Sequence, residues 1–263
     1  MHSILFLCLV FLVSFDVRAA AGNEPCSRTY EVGFSDYAPI FIREKGQRSG
    51  IAIDLARELS RRTGCIFSEN EFTRPAAISR MRQGKMDLFF MAGSKFEFDN
   101  IGVFVPLYEA ERSLTYLRSL KKNYDSIQDL LNDKKMRVGV MIGSHSMWTP
   151  EELASLNAEG RTVGAPNPEG LFRMLKNGRV QAVLFSTGTT LYYIDKLKMT
   201  GITERLVDRK TKTQVGYVYS TRRMSSRDVE LITGTMKVME ADGTLKKIYS
   251  KYLTPNSVEF RQY

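Results

Sequence analysis

The strongest constraint on this chain is that it says nearly the same thing twice. Residues 76–90 read AAISRMRQGKMDLFF, and residues 171–184 read LFRMLKNGRVQAVL. Aligned on Gly84 and Gly178, Ile78 meets Phe172, Met81 meets Leu175, Asp87 meets Gln181 and Phe89 meets Val183. In each copy apolar residues at helical spacing end at a glycine, one basic residue follows, and an apolar run comes next. A helix stopped by a left-handed glycine and followed by a buried strand is half of an α/β unit. Two copies predict two similar α/β lobes, and a cleft between lobes is a natural ligand site. The bland alternative is a chance match between two helix–glycine–strand segments.

The amino terminus reads as an export signal. Residues 4–13 form an unbroken apolar run, and Ala19, Ala20 and Ala21 follow shortly after. That is a secretory core with a small-residue cleavage site, too short to span a bilayer, so residues 1–21 are set aside as a leader. The segment before the run carries no Lys or Arg, only His2, which leaves an uncleaved anchor as the alternative. Cys8 lies in the leader, so Cys26 and Cys65 remain as an even pair in an oxidising compartment. Cys26 precedes the first strand candidate (29–34), and Cys65 leads the second. In a parallel sheet both strand starts lie at one edge, so the two can bridge. Two unpaired buried thiols are the alternative.

About 240 residues remain after the leader, enough for two lobes with good cores. The net charge of +9 is scattered over pairs such as Arg61-Arg62, Lys134-Lys135 and Lys246-Lys247. Such an excess favours an anionic ligand by steering. It lacks the aromatic-basic platform of a nucleic-acid binder, and no nucleic acid partner is expected.

Along the chain, Ser35-Asp36-Tyr37-Ala38-Pro39 is a turn. Ile51, Leu55 and Leu59 mark a helix stopped at Thr63-Gly64. A strand at 65–67, a helix from Pro75 to Gly84 and a strand at 86–91 complete a β-α-β-α-β series, hence a parallel sheet covered by helices. A second region begins near a strand at 113–117 and adds a capped helix after Asp125 or Ser126. A strand at 136–142, a helix from Pro150, a strand at 162–163 and the second repeat copy follow. A strand at 214–219 and helices at 229–240 and 244–252 finish the chain. The fold class predicted is α/β with two lobes. Lobe 1 is 26–115 plus 218–263, lobe 2 is 116–217, and the crossings lie near 115–117 and 216–218.

These motifs together resemble the bacterial periplasmic solute-binding proteins of the polar-amino-acid type, family 3, over essentially the whole mature chain. The resemblance rests on Tyr37-x-Pro39, Gly50-Ile51-x-Ile53-Asp54-Leu55 and Gln83-Gly84-Lys85-Met86-Asp87-Leu88. It continues in Val138-Gly139-Val140 with Gly143-Ser144, in Gly178-Arg179-Val180-Gln181-Ala182-Val183, and in Asp242-Gly243-Thr244-Leu245 through Lys251-Tyr252-Leu253. It implies two lobes closing like a hinged clam on a small solute. It also implies a periplasmic, monomeric receptor that hands the solute to the membrane permease of an ABC transporter. The implied site takes Asp36 and Tyr37 from the first turn, then Gly93, Ser94, Lys95 and Phe98 from the segment after the third strand. Gly143, Ser144 and His145 would join them at a helix N-terminus, where free N–H groups suit an anion. Alternatively Gly143-Ser144 is only a capping turn.

The departures concern the ligand. Amino-acid binders of this family carry T-x-x-R after the third strand, whose Arg grips the α-carboxylate. Here Ser94-Lys95-Phe96-Glu97-Phe98 stands there, with Phe98 in place of the Arg, and Ser186 stands where an acidic residue takes the α-amino group. Lys95 or Arg74 is the candidate substitute cation. Both handles for a zwitterion are missing at their usual places, so a small polar or anionic solute is expected rather than an ordinary amino acid. Phe34, Tyr37, Phe96, Phe98 and Trp148 are candidate aromatic walls, although aromatics near strand ends are more often core.

Catalysis finds little support. The mature chain has one histidine, His145, and no G-x-S-x-G elbow, P-loop or G-x-G-x-x-G. Cys26, Cys65 and His145 lack zinc-ligand spacing, so neither metal nor cofactor is expected. A periplasmic dehydratase-like variant of the fold would need a general acid such as Asp36, Glu97, Glu109 or His145. A ligand-sensing module is the other alternative.

Overall fold

The computed structural model describes residues 25–93, 98, 100–144, 147–254 and 258–260. The leader at 1–21 and the candidates Ser94, Lys95, Phe96, Glu97 and His145 lie outside the described residues. In chain order the first half contains β1 (Tyr30–Phe34), the hairpin β2 (Ile42–Glu44) and β3 (Gln47–Ser49), and α1 (Ile51–Thr63). It continues with β4 (Phe67–Glu71), α2 (Arg74–Arg82) and β5 (Leu88–Ala92). A long strand, β6 (Val103–Leu117), leads to α3 (Ile127–Asn132), β7 (Val138–Met141), α4 (Pro150–Ala158) and β8 (Thr162–Ala165). Then come α5 (Pro168–Lys176), β9 (Ala182–Ser186) and α6 (Thr187–Lys196). A second long strand, β10 (Thr203–Tyr219), returns to α7 (Ser226–Ala241), α8 (Thr244–Ser250) and β11 (Val258–Phe260).

The main sheet runs β4-β1-β5-β10-β6-β9-β7-β8, with β11 beside β6. Its two ends are topological copies. β1 is flanked in parallel by β4 and β5, and β7 is flanked in parallel by β8 and β9. The antiparallel pair β6 and β10 fills the middle, β6 against β9 and β10 against β5. The repeat in the sequence is therefore the same α-then-β step of each copy, α2 to β5 and α5 to β9.

Atomic detail carries the match further. Gly84 and Gly178 take φ of 66° and 69°. Lys85 N–H closes on Arg80 O at 2.8 Å, and Arg179 N–H on Met174 O at 2.9 Å, the same helix-ending pattern. Asp87 then accepts the Glu31 N–H through its carboxylate at 2.7 Å, while Gln181 accepts the Arg137 N–H through its amide oxygen at 3.0 Å. Two different residues do one job: tying the start of each strand to its parallel neighbour.

The helices end and begin where local chemistry dictates. Gly64 closes α1 in the left-handed region, and Ser126 and Thr149 cap α3 and α4 with capping boxes to Asp129 and Glu152. Arg62 joins α1 to Asp242 and Thr244 at 2.6 and 2.7 Å, and Asp54 takes Lys251 at 2.9 Å, so the C-terminal helices fold back onto α1. Cys26 and Cys65 form a disulfide, with Cα atoms 4.7 Å apart at the shared edge of β1 and β4.

Some expectations need correction. The second strand starts at Phe67, not at Cys65, because Cys65 is held by the disulfide and Ile66 is 65% exposed. The strands predicted at 113–117 and 214–219 extend to 15 and 17 residues. Among the described residues the helix following Gly143 is α4, capped by Thr149 and opening at Pro150, so the expected anion-binding N-terminus is not at Gly143-Ser144. The helix α6 and the β2–β3 hairpin were not anticipated.

Candidate functional site

A cavity lies where the C-terminal ends of the parallel strands from both copies converge, the usual place for ligands in open α/β sheets. Ser35, Tyr37 and Ile40 reach it from the turn after β1, and Phe89, Phe90 and Gly93 from β5 and its end. Arg74 enters from the first turn of α2. Tyr108 and Val215 come from the long strands. Ser144 and Met147 follow β7, and Ser186 ends β9. The cavity volume is about 40 Å³.

Arg74 is 93% buried, its guanidinium 5.7 Å from the ring centres of both Phe89 and Phe98. Phe98 packs on Phe89 at 5.5 Å behind the wall and does not line the cavity. A guanidinium from α2 thus lies against the Phe98 ring. Among the described residues, Arg74 is the one charged side chain on the wall. Ser186 caps α6, its hydroxyl accepting the Thr189 N–H at 3.4 Å, and presents itself to the cavity from the second copy. Tyr108 is buried, which pushes its phenol well above the ordinary range and keeps it neutral.

The two copies touch on both sides of this cavity. On one side, Asn167 donates to Asp36 at 2.8 Å, Ala38 N–H reaches the Tyr193 hydroxyl at 3.4 Å, and Tyr37 meets Phe185 edge-on at 5.8 Å. Tyr192 and Lys196 both reach Glu44, at 3.0 and 3.4 Å. Burial pushes the Asp36 carboxyl up, against the bond from Asn167. On the other side Pro75 of α2 abuts Gly143, where a Cβ would stand 2.3 Å from Pro75 Cγ. The conformation is thus closed. Gly143→Ala adds a methyl that collides with Pro75 in this conformation, at a residue with φ of 71°. Its expected effect is at least a tenfold loss of ligand affinity with a smaller change in unliganded Tm, read by calorimetry and melting.

Of the sequence candidates, Tyr37, Arg74, Gly93, Ser144 and Ser186 come together on the wall. Asp36 is engaged by Asn167 instead, and Gly143 lines the adjoining groove with Ile78 and Ile142. Phe34 and Trp148 are core residues, 1% and 4% exposed. Sequence reasoning missed Ser35, Ile40, Phe89, Phe90, Tyr108, Met147 and Val215. Ser35 and Ile40 flank the proposed turn and were within reach of that argument. Tyr108 and Val215 lie in long strands whose middle carries no strand signature.

No protein-family model matches the sequence, and no curated protein matches it. Solved structures do. An ancestral arginine-binding protein bound to arginine is similar with a TM-score of 0.72 and 24% identity, covering 86% of this chain and 98% of that one. A histidine kinase sensor domain with similarity to periplasmic binding proteins gives 0.73 and 17%, covering 89% and 98%. An ancestral amino acid-binding protein, a precursor of cyclohexadienyl dehydratase, gives 0.69 and 23%, covering 86% and 96%. With its duplicated α/β halves joined by two long strands around a central cavity, the chain has the two-lobe periplasmic-binding-protein fold.

Proposed function

We propose that this protein is an exported, monomeric receptor that captures a small polar or anionic solute between two lobes and presents it to the membrane permease of an ABC transporter. The observation that carries the reading is the composition of the cavity wall. Tyr37 and Arg74 belong to one copy and Ser144, Met147 and Ser186 to the other, so a bound solute touches both only when the halves close. Such contacts shift the population toward the closed form. In this reading lobe 1 is 26–115 with 218–263 and lobe 2 is 116–217. The pairing of Arg112–Tyr116 with β9 favours an exchange slightly earlier, between Tyr108 and Arg112. The disulfide supports an oxidising compartment, hence the periplasm.

The protein binds without turnover in this reading, in keeping with neighbours that are mostly binding proteins. Asp36, a candidate acid, is committed to Asn167 at the rim. A sensing module is the second reading, favoured by the likeness to the kinase sensor domain. A permease and ATPase encoded beside this chain would favour transport, and a sensor kinase beside it would favour sensing.

A thermal-shift screen of amino acids, organic acids, sugars and oxyanions tests the reading. A solute at 100 times its Kd stabilises by about 2.7 kcal/mol, a rise of about 5–10 °C for a chain of this size. Gly, Glu, Gln, His and Arg at millimolar concentration are expected to give none. A clear shift with any of them would show that the zwitterion handles have been misread.

A further inference from the structure

The wall chemistry narrows the solute class, on the reading that this cavity is the solute site. Arg74 contributes a guanidinium whose five N–H donors can hold a protein partner on one edge and a ligand oxygen on the other. Among the described residues the wall carries this one cation and no carboxylate, a lining that favours an anionic group over an ammonium. Aromatic faces can hold a cation, but the Phe89 ring already faces the Arg74 guanidinium at 5.7 Å, and a second positive charge would be repelled. Ser35 Oγ is buried on the wall with no hydrogen-bond partner among the described residues, and a buried hydroxyl left unpaired costs about 1–3 kcal/mol. A ligand hydroxyl would satisfy it. Ile40, Phe89, Phe90 and Val215 supply the apolar part of the wall beside these groups, suited to a short apolar remainder. At roughly 10–15 Å³ per water, the 40 Å³ cavity holds about three waters, a volume suited to a small solute.

We propose that the solute is a short hydroxycarboxylate of the lactate type, its carboxylate on Arg74 and its hydroxyl on Ser35, with no ammonium group. Lactate and alanine have the same number of non-hydrogen atoms and differ only in hydroxyl against ammonium. That makes the pair a direct probe.

The mature protein is titrated with L-lactate, D-lactate, propionate, alanine and tetramethylammonium, by calorimetry and thermal shift. One lactate enantiomer is expected to bind tightest, propionate about tenfold more weakly, and alanine and tetramethylammonium not at all. Ser35→Ala should weaken lactate about tenfold and leave propionate unchanged, a difference that a folding defect would not produce. Arg74→Gln should lose both acids while its unliganded Tm remains measurable. Alanine or tetramethylammonium binding as well as lactate would overturn the class and leave the receptor reading standing. So would a shift from a larger compound of the wider screen with none from lactate. No shift from any compound in either set would overturn the receptor reading itself.

Discussion

Replacing Cys26 and Cys65 together by Ser is expected to lower stability by about 4 kcal/mol. The bridge closes a loop with a sequence separation of 39, and the chain-entropy model places such a loop between the values for about 15 and 100 residues. For a chain this long that corresponds to a fall in Tm of roughly 8–16 °C. The bridge sits at the very start of β1, where the neighbouring contacts are polar: Ser27 N–H on Asp228 at 3.0 Å and Arg28 on Asp87 at 2.6 Å. Those bonds hold the strand's entry in the folded state but do nothing to restrict the unfolded chain, which is where the crosslink acts. Melting of the double variant beside the oxidised parent measures the effect. A Tm within about 2 °C of the parent would mean that the bridge constrains nothing.

The second large effect is at Asp87. Its side chain is fully buried and accepts from Arg28 at 2.6 Å, Arg223 at 2.6 Å and the Glu31 N–H at 2.7 Å. Burial pushes this carboxyl up, and the bonds from Arg28 and Arg223 more than offset it, so its pKa lies below the ordinary range. Asp87→Ala leaves a buried N–H and two guanidinium groups without their acceptor. Breaking such an arrangement costs about 3–5 kcal/mol, and because both arginines are about one-third exposed the expected loss is near the lower figure. Asp87→Asn keeps an oxygen for Glu31 N–H, as Gln181 does for Arg137 in the other copy, and should cost less. The sign with pH follows from the lowered pKa. The folded form binds a proton less readily than the unfolded one, so the contribution is complete above about pH 4 and disappears as the pH falls below it. Asp228, held at about 2 by Ser27, Tyr30 and Ser225 against the effect of burial, loses its share over about pH 4 to 2. Denaturant titrations at pH 7 and pH 3 separate these outcomes. Equal losses for Ala and Asn would show that only the charge matters there.

How far the fold was legible depended on whether a segment's signal was local. The repeat, the α1 stop at Gly64, the Pro openings of α2, α4 and α5 and the disulfide all rest on short-range grammar. All were readable. The long strand β10 was not. Its first ten residues, TERLVDRKTK, carry charge rather than alternation, and their strand character comes from pairing with β6 across a register shift between Asp208 and Lys212. The helix α6 begins Thr187-Gly188-Thr189-Thr190, residues of weak helix propensity. Packing of Tyr193 and Ile194 into the second core cluster overrides that preference. The site was legible in part for the same reason. Tyr37, Gly93 and Ser186 could be placed by order along the chain. Only tertiary structure brings Arg74 of α2 onto the ring of Phe98, and Asn167 of the other copy onto Asp36.

The measurement that bears most directly on these claims is calorimetric titration of the compound giving the largest thermal shift, repeated on one variant from each wall. Tyr37→Ala removes a wall residue of the first copy and Met147→Ala one of the second. If one molecule is gripped by both halves together, each variant should bind at least tenfold more weakly while keeping its fold by circular dichroism. Unaltered affinity in either variant would place the guest on one half alone.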